Sequence, residues 1–186
     1  MSLDANVPEE FLDRYMTEAV ESTVTVDGEV AGHVGLLDLD ETSAGAAYET
    51  AENLSGTVAV LRSSDHSYHV WGLSIRPLDE WLSIAERLDH VDEEHISLSH
   101  RRECSVLRMA AKRNVATGEV VKPAPTVVAV RSTETDLRQS APHLRALREV
   151  AEEGDSRVSG DIPDPSVGVG HGAPRRVYMA DIGGGE

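Results

Sequence analysis

From His33 to Arg101 the chain alternates short apolar runs with helix signals in an order that few folds accommodate. His33–Asp40 reads as a strand, and Ser43–Leu54 as a helix capped by Ser43, whose hydroxyl can take a first-turn N–H. Thr57–Arg62 and Ser67–Ile75 read as two strands joined by a polar turn. Leu78–Leu88 reads as a helix behind Pro77, a residue favoured where helices begin, and His95–Arg101 as a closing strand. The order is βαββαβ.

Such a unit packs two helices on one face of an antiparallel sheet, the ferredoxin-like or RNA-recognition-motif (RRM) arrangement. The expectation is an α+β protein with an RRM/ferredoxin-like βαββαβ core, extra strands and a C-terminal helix. Pro8 and its acidic neighbours start a helix expected to run to about Glu21. Thr23–Val30 reads as a hairpin turning at Asp27-Gly28. Beyond the core, Ser105–Lys112 and Thr126–Arg131 read as strands, and Glu134–Glu153 as a helix interrupted near Pro142. Residues 1–153 then form one domain with its core at about 30–132. Residues 154–186, rich in Gly and Pro, read as a flexible tail with one strand at Arg175–Ile182.

In this topology the first and third strands are neighbours, which brings two polar segments together. Leu36-Leu37-Asp38-Leu39-Asp40 ends an apolar run with two carboxylates one residue apart, so both point the same way. Oxygen ligands of this kind suit Mg²⁺ or Mn²⁺. Ser64 and His69 lie five apart across the second hairpin, with His69 on the strand beside Asp38. Taken alone, Asp-x-Asp is more often a strand end that turns and caps a helix.

The charge balance narrows the partners. Asp and Glu number 33 against 17 Lys and Arg, and the net charge is −16. Only Lys112 and Lys122 are lysines. Acid spread along the whole chain is read as adaptation to high salt, which screens self-repulsion. Bulk charge therefore does not recruit nucleic acid, and any phosphate contact must be local. Arg62 precedes the serine turn. Arg101, Arg102, Arg108, Lys112 and Arg113 form the densest basic cluster, and guanidinium binds phosphate through two parallel hydrogen bonds. A solvated surface is the ordinary fate of such a cluster. One cysteine, Cys104, excludes an internal disulfide and any multi-cysteine zinc site. No run of 18 apolar residues exists, and Met1–Glu10 carries neither a basic leader nor an apolar stretch. A cytoplasmic location without a membrane partner is expected.

These segments resemble the archaeo-eukaryotic primase superfamily. Its first motif, an apolar strand ending in Asp-x-Asp, is matched by Leu36–Asp40. Its second, a serine followed after a turn by an aromatic or apolar residue and histidine, is matched by Ser64 and Tyr68-His69. Asp65 and Ser67 stand where that turn usually carries glycine. The third motif, an apolar residue then Asp, has its nearest counterpart in Val91-Asp92, ahead of the strand expected at His95–Arg101. The resemblance spans about residues 30–132 and implies a metal-dependent nucleotidyltransferase of DNA replication. Asp38 and Asp40 would bind Mg²⁺ or Mn²⁺. His69 and Ser64 would meet the incoming triphosphate, with Arg62, Arg101, Arg108 and Lys112 as further phosphate contacts. The partners implied are nucleoside triphosphates, a single-stranded DNA template, and a helicase or other replication protein of a plasmid or virus. The alternative is a catalytically decayed RRM-like module that binds single-stranded nucleic acid or a replication protein.

Overall fold

The alternation of apolar residues along 57–76 builds the middle layer of the molecule. The computed structural model describes residues 14–133, 138–153 and 158–182. In chain order these give β1 (Arg14–Glu21), β2 (Thr23–Val26), β3 (Glu29–Leu39), α1 (Ala44–Glu52), β4 (Thr57–Ser64), β5 (Ser67–Arg76), α2 (Leu78–Ala85) and α3 (Glu93–Arg102). There follow β6 (Val106–Arg108), β7 (Lys112–Asn114), β8 (Val120–Lys122), β9 (Thr126–Ser132), α4 (Ala141–Glu153) and β10 (Arg176–Ile182). The fold is α+β, with two antiparallel five-stranded sheets. The central sheet has the order β2-β3-β5-β4-β9; in the second, β10-β1-β7-β8, strand β6 also pairs with β1.

Because side chains alternate across a strand, the central sheet is apolar on both faces. Leu37, Leu39, Val58, Val60 and Val70 pack against Ala47 and Ala51 of α1 and Trp81 and Ala85 of α2. Val34, Leu36, Leu61, Trp71 and Leu73 pack against Val20 of β1, Leu107 of β6 and Leu144 and Leu147 of α4. The central sheet therefore lies between helices α1 and α2 on one side and the second sheet with α4 on the other. Helix α2 sits very close: a Cβ on Gly35 or Gly72, which are cross-strand partners, would fall 2.5 Å from the Trp81 ring. Only glycine leaves room for an indole laid directly on the backbone. The Trp81 Nε1–H donates to the His33 carbonyl at 3.0 Å, fixing that approach.

Several local expectations are met. The hairpin at Asp27-Gly28 forms with both residues at positive φ, and the Ser43 hydroxyl accepts from the Ala46 N–H at 3.2 Å. Two differ. His95–Arg101 is not the closing strand but most of α3. Ile96 and Leu98 alternate like a strand, yet Asp92 caps the segment, Glu93 and Glu94 occupy its first turn, and His100, Arg101 and Arg102 its last. Those charges complement the helix dipole at both ends. Arg14–Glu21 is not the end of a helix but β1, flanked by β10 on one side and by β6 and β7 on the other. The start of the helix expected there, Pro8–Asp13, lies outside the described residues.

The strand expected over Ser105–Lys112 is split between β6 and β7. Helix α4 begins at Ala141, so Pro142 sits in its first turn, where no backbone N–H is needed. The strand expected at Arg175–Ile182 is β10. Of the stretch read as a flexible tail, described residues are tied to the fold at Ser159 beside Ala129, at Val169 beside Ser140, and along β10.

Candidate metal centre

Asp38 and His69 are direct cross-strand partners on β3 and β5, with His69 Nε2 3.6 Å from Asp38 Oδ1. Parity along the strands puts both on the face that carries Leu36 and Trp71, so they point at the second sheet. That face is covered, and what remains at its end is a cleft of about 280 Å³. Asp40 lies two residues beyond Asp38, where β3 stops before Glu41 turns the chain through a positive φ.

The third carboxylate comes from the segment between α2 and α3. Val91 forms an antiparallel bridge with Leu39, and the Asp92 N–H donates to the Asp38 carbonyl at 2.9 Å. Val91-Asp92 thus lies along the edge of β3. The Asp92 carboxylate accepts from the N–H groups of Glu94 and His95 at 3.0 and 3.1 Å, which fixes its direction as it starts α3. Oxygens of Asp38, Asp40 and Asp92 all come within 4.8 Å of one another.

Electrostatics separate the two partners at the centre. Burial pushes the Asp38 carboxyl up to about 7, and the charges of Asp40 and Asp92 add to this while Lys122 and Arg108 oppose it. Burial also drives His69 down to about 3, helped by the positive charge of Arg108. His69 is 3% exposed and neutral, and its Nδ1 has no hydrogen-bond partner among the described residues. A carboxylate held among others in a partly buried site is poorly solvated, and a divalent cation is the charge that would relieve it. The donor set, three carboxylates, fits a hard oxygen-seeking ion such as Mg²⁺ or Mn²⁺.

The opposite wall of the cleft belongs to the second sheet and is basic. Arg108 of β6, Lys112 of β7 and Lys122 of β8 line it, together with Arg102 from the end of α3. Lys112 and Lys122 are cross-strand partners, and the Lys112 ammonium lies 5.1 Å from the Tyr15 ring centroid. The His95 ring also lines the cleft, its Nε2 hydrogen-bonded to the Leu36 carbonyl at 2.8 Å.

Of the residues proposed from sequence, Asp38, Asp40, His69, Arg108 and Lys112 line this cleft. Ser64, Arg62 and Arg101 are not among its lining residues. A register shift between Arg62 and Ser64 accompanies the change, and Ser63 is the serine that lines the cleft. Arg62 is exposed and pairs with Asp65 at 2.5 Å, while Arg101 is exposed on α3. Arg102, part of the basic cluster read from the sequence, lines it as well. Sequence reasoning missed Ser63, His95 and Lys122 as site residues and left Asp92 as a weak candidate. Lys122 carried a signal nonetheless: both lysines of the chain face one cleft. A second groove of about 420 Å³, lined by Arg76, Trp81 and Arg87, lies on the helical side. No helix of the described residues is long and apolar enough to cross a membrane. Compared with protein-family models, curated proteins and solved structures, the chain matches none.

Proposed function

We propose that the chain is a metal-dependent nucleotidyltransferase of the primase type, acting on nucleoside triphosphates and a single-stranded DNA template in replication. The observation that carries this reading is the delivery of Asp92 by a single β-bridge to the edge of β3. It joins Asp38 and Asp40 there, opposite a basic wall. The strand order β3-β5-β4 with α1 and α2 on one face supports an RRM-like core. In such a core Val91, bridging the free side of β3, stands in the place of the last strand.

Asp38, Asp40 and Asp92 would hold Mg²⁺ or Mn²⁺, which when bound neutralises charge developing on the transferred phosphoryl group. In the proposed reaction the primer 3′-oxygen forms a bond to the α-phosphorus and the bond from that phosphorus to the bridging oxygen breaks. Pyrophosphate leaves, and the hydroxyl proton passes to solvent. Lys112, Lys122 and Arg102 offer positive charge to the departing phosphates. His69, neutral and buried beside Asp38, offers a ring nitrogen without adding charge to the acid wall. The competing binding module would stack bases on exposed sheet aromatics. Trp71, the aromatic available for that purpose, is fully buried between the sheets.

The test is Mn²⁺-dependent extension of a primer on a single-stranded template. Wild type is expected to incorporate nucleotides, and Asp38→Ala with Asp40→Ala to lose at least about 10³-fold, the scale of removing a preorganised charge-stabilising group. Circular dichroism should show the fold kept. Incorporation by the double variant would rule out this site, and an inactive wild type that still binds single strands would favour the binding module.

A further inference from the structure

We propose that Arg108 is a positioning residue whose buried guanidinium pins both roots of the β7–β8 hairpin to the central sheet. It thereby holds Lys112 and Lys122 across the cleft from the carboxylates. The inference rests on the nucleotidyl-transfer reading for what the cleft binds, though not for its geometry. Arg108 is 8% exposed. Its Nη1 donates to the carbonyl of Ala110 at 3.0 Å and to that of Pro123. Its Nη2 donates to the Ser63 carbonyl at 2.9 Å and to the Ser63 hydroxyl at 3.2 Å.

These acceptors define the role. Ala110 lies two residues before Lys112 and Pro123 directly follows Lys122, so Nη1 closes the two legs of the hairpin. Ser63 belongs to β4, so Nη2 ties that closure to the other sheet. The strand pairing that holds the hairpin is short: β7 and β8 are three residues each and share two register pairs, and β7 meets β1 through two more. Lysines set directly opposite each other on paired strands repel, which makes an outside restraint more important. A planar guanidinium can serve four acceptors in a fixed fork, whereas an ammonium cannot reproduce that geometry. With all four Nη protons given to protein oxygens, Arg108 has little left for a phosphate. It acts through the lysines.

Arg108→Lys keeps the charge and removes the fork. Spin labels at Glu119→Cys on the hairpin and His66→Cys in the turn joining β4 to β5 of the central sheet, with Cys104→Ser, report the separation of the two walls by electron–electron resonance. In the full chain, Arg108→Lys is expected to broaden that distance distribution about twofold and weaken binding of inorganic tripolyphosphate about tenfold, ~1.4 kcal/mol. Mn²⁺ affinity, a property of the other wall, should stay within about threefold, a separation that general loss of structure would not produce. An unchanged distribution, or tripolyphosphate affinity retained in Arg108→Lys, overturns the proposal and makes Arg108 a direct or incidental charge. Should that variant fail to fold, Ser63→Ala removes one acceptor alone. Partial broadening with weaker tripolyphosphate binding then supports the proposal, and no change in either overturns it. If wild type binds Mn²⁺ but no tripolyphosphate, the nucleotidyl-transfer reading fails, while the distance distribution still decides what Arg108 does.

Discussion

The two sheets differ in burial and in how they are assembled: the central one is covered on both faces, while β8 of the second is exposed along its length. The central sheet takes β2, β3, β4 and β5 from one stretch, residues 23–76, joined by hairpins and one helix, and adds β9 at its edge. The second sheet gathers β1, β6, β7, β8 and β10 from residues 14–21, 106–122 and 176–182. The first is specified by local alternation, the second by partners distant in sequence. The candidate site combines them: Asp38, Asp40 and His69 stand on the locally specified sheet, and Arg108, Lys112 and Lys122 on the distantly assembled one. Stable local structure supplies the carboxylates, and long-range pairing supplies the countercharge.

The contrast would break most visibly in the shared core. Trp71 is the largest fully buried side chain and sits on the central sheet against β1, β6 and α4. Trp71→Ala is expected to cost about 3–5 kcal/mol in urea unfolding, within the range for large core truncations. Val121→Ala, half exposed on β8, should cost less than about 0.5 kcal/mol, as surface changes do. Similar costs at the two positions would mean that Trp71 is not packed in the core that the two sheets share.

The junction of the sheets should respond to acid. His143 of α4 is fully buried, shares a hydrogen bond with the Ser140 hydroxyl at 2.6 Å, and binds the Glu21 carbonyl of β1 through Nε2 at 2.8 Å. Burial holds its imidazole down at about 4. The unfolded chain binds the proton more tightly, so stability is complete above about pH 6.5 and falls as the pH drops toward 4. Below that the loss levels off at about 3 kcal/mol for this group. Urea midpoints between pH 7 and 4 measure it, and His143→Gln should flatten the fall. Because Asp38 and His69 titrate over the same range with opposite signs, the difference between the two profiles is the measure, and identical profiles for wild type and His143→Gln would show that His143 is not held neutral in the folded state.

The smallest effect sharpens the assignment of the basic wall. Replacing Lys112 or Lys122 by Ala should lower the salt slope of single-strand binding by ~0.7 for each phosphate that the missing ammonium had neutralised. Arg62→Ala and Arg101→Ala, both exposed outside the cleft, should leave the slope unchanged. The reverse pattern would place the nucleic-acid interface on the outer surface.

Much of the central sheet was legible because its signals are local. Ser43 as a cap, Asp27-Gly28 as a hairpin turn, Pro77 ahead of α2, and the Leu36–Leu39 and Val58–Leu61 alternations act within a few residues of themselves. The exceptions are equally physical. Ile96 and Leu98 alternate, but a capping Asp92 and oppositely charged ends decide for α3. Arg14–Glu21 carries helix-compatible residues, yet pairing on both edges satisfies its backbone as a strand, and a tertiary environment of that kind outweighs weak propensity. The choice between Ser63 and Ser64 follows the strand period: Ala59 and Leu61 face the second sheet, so Ser63 faces it too, whereas the motif spacing had pointed to Ser64.

By itself the sequence determined the pairing of Asp38 with His69, since a hairpin and a crossover helix leave β3 and β5 as neighbours, and the side-chain period of two aims both residues the same way. It also determined that any phosphate contact would have to be local, because a chain with a net charge of −16 repels phosphate in bulk. Only the tertiary structure decided that Asp92 joins the carboxylates, that Lys122 stands beside Lys112, and that Arg108 spends its hydrogen bonds on Ser63, Ala110 and Pro123. The contact of Asp92 with β3 and that of Arg108 with Ser63 join residues far apart in the chain. The second forms only where the two sheets close over one another, which no local pattern encodes.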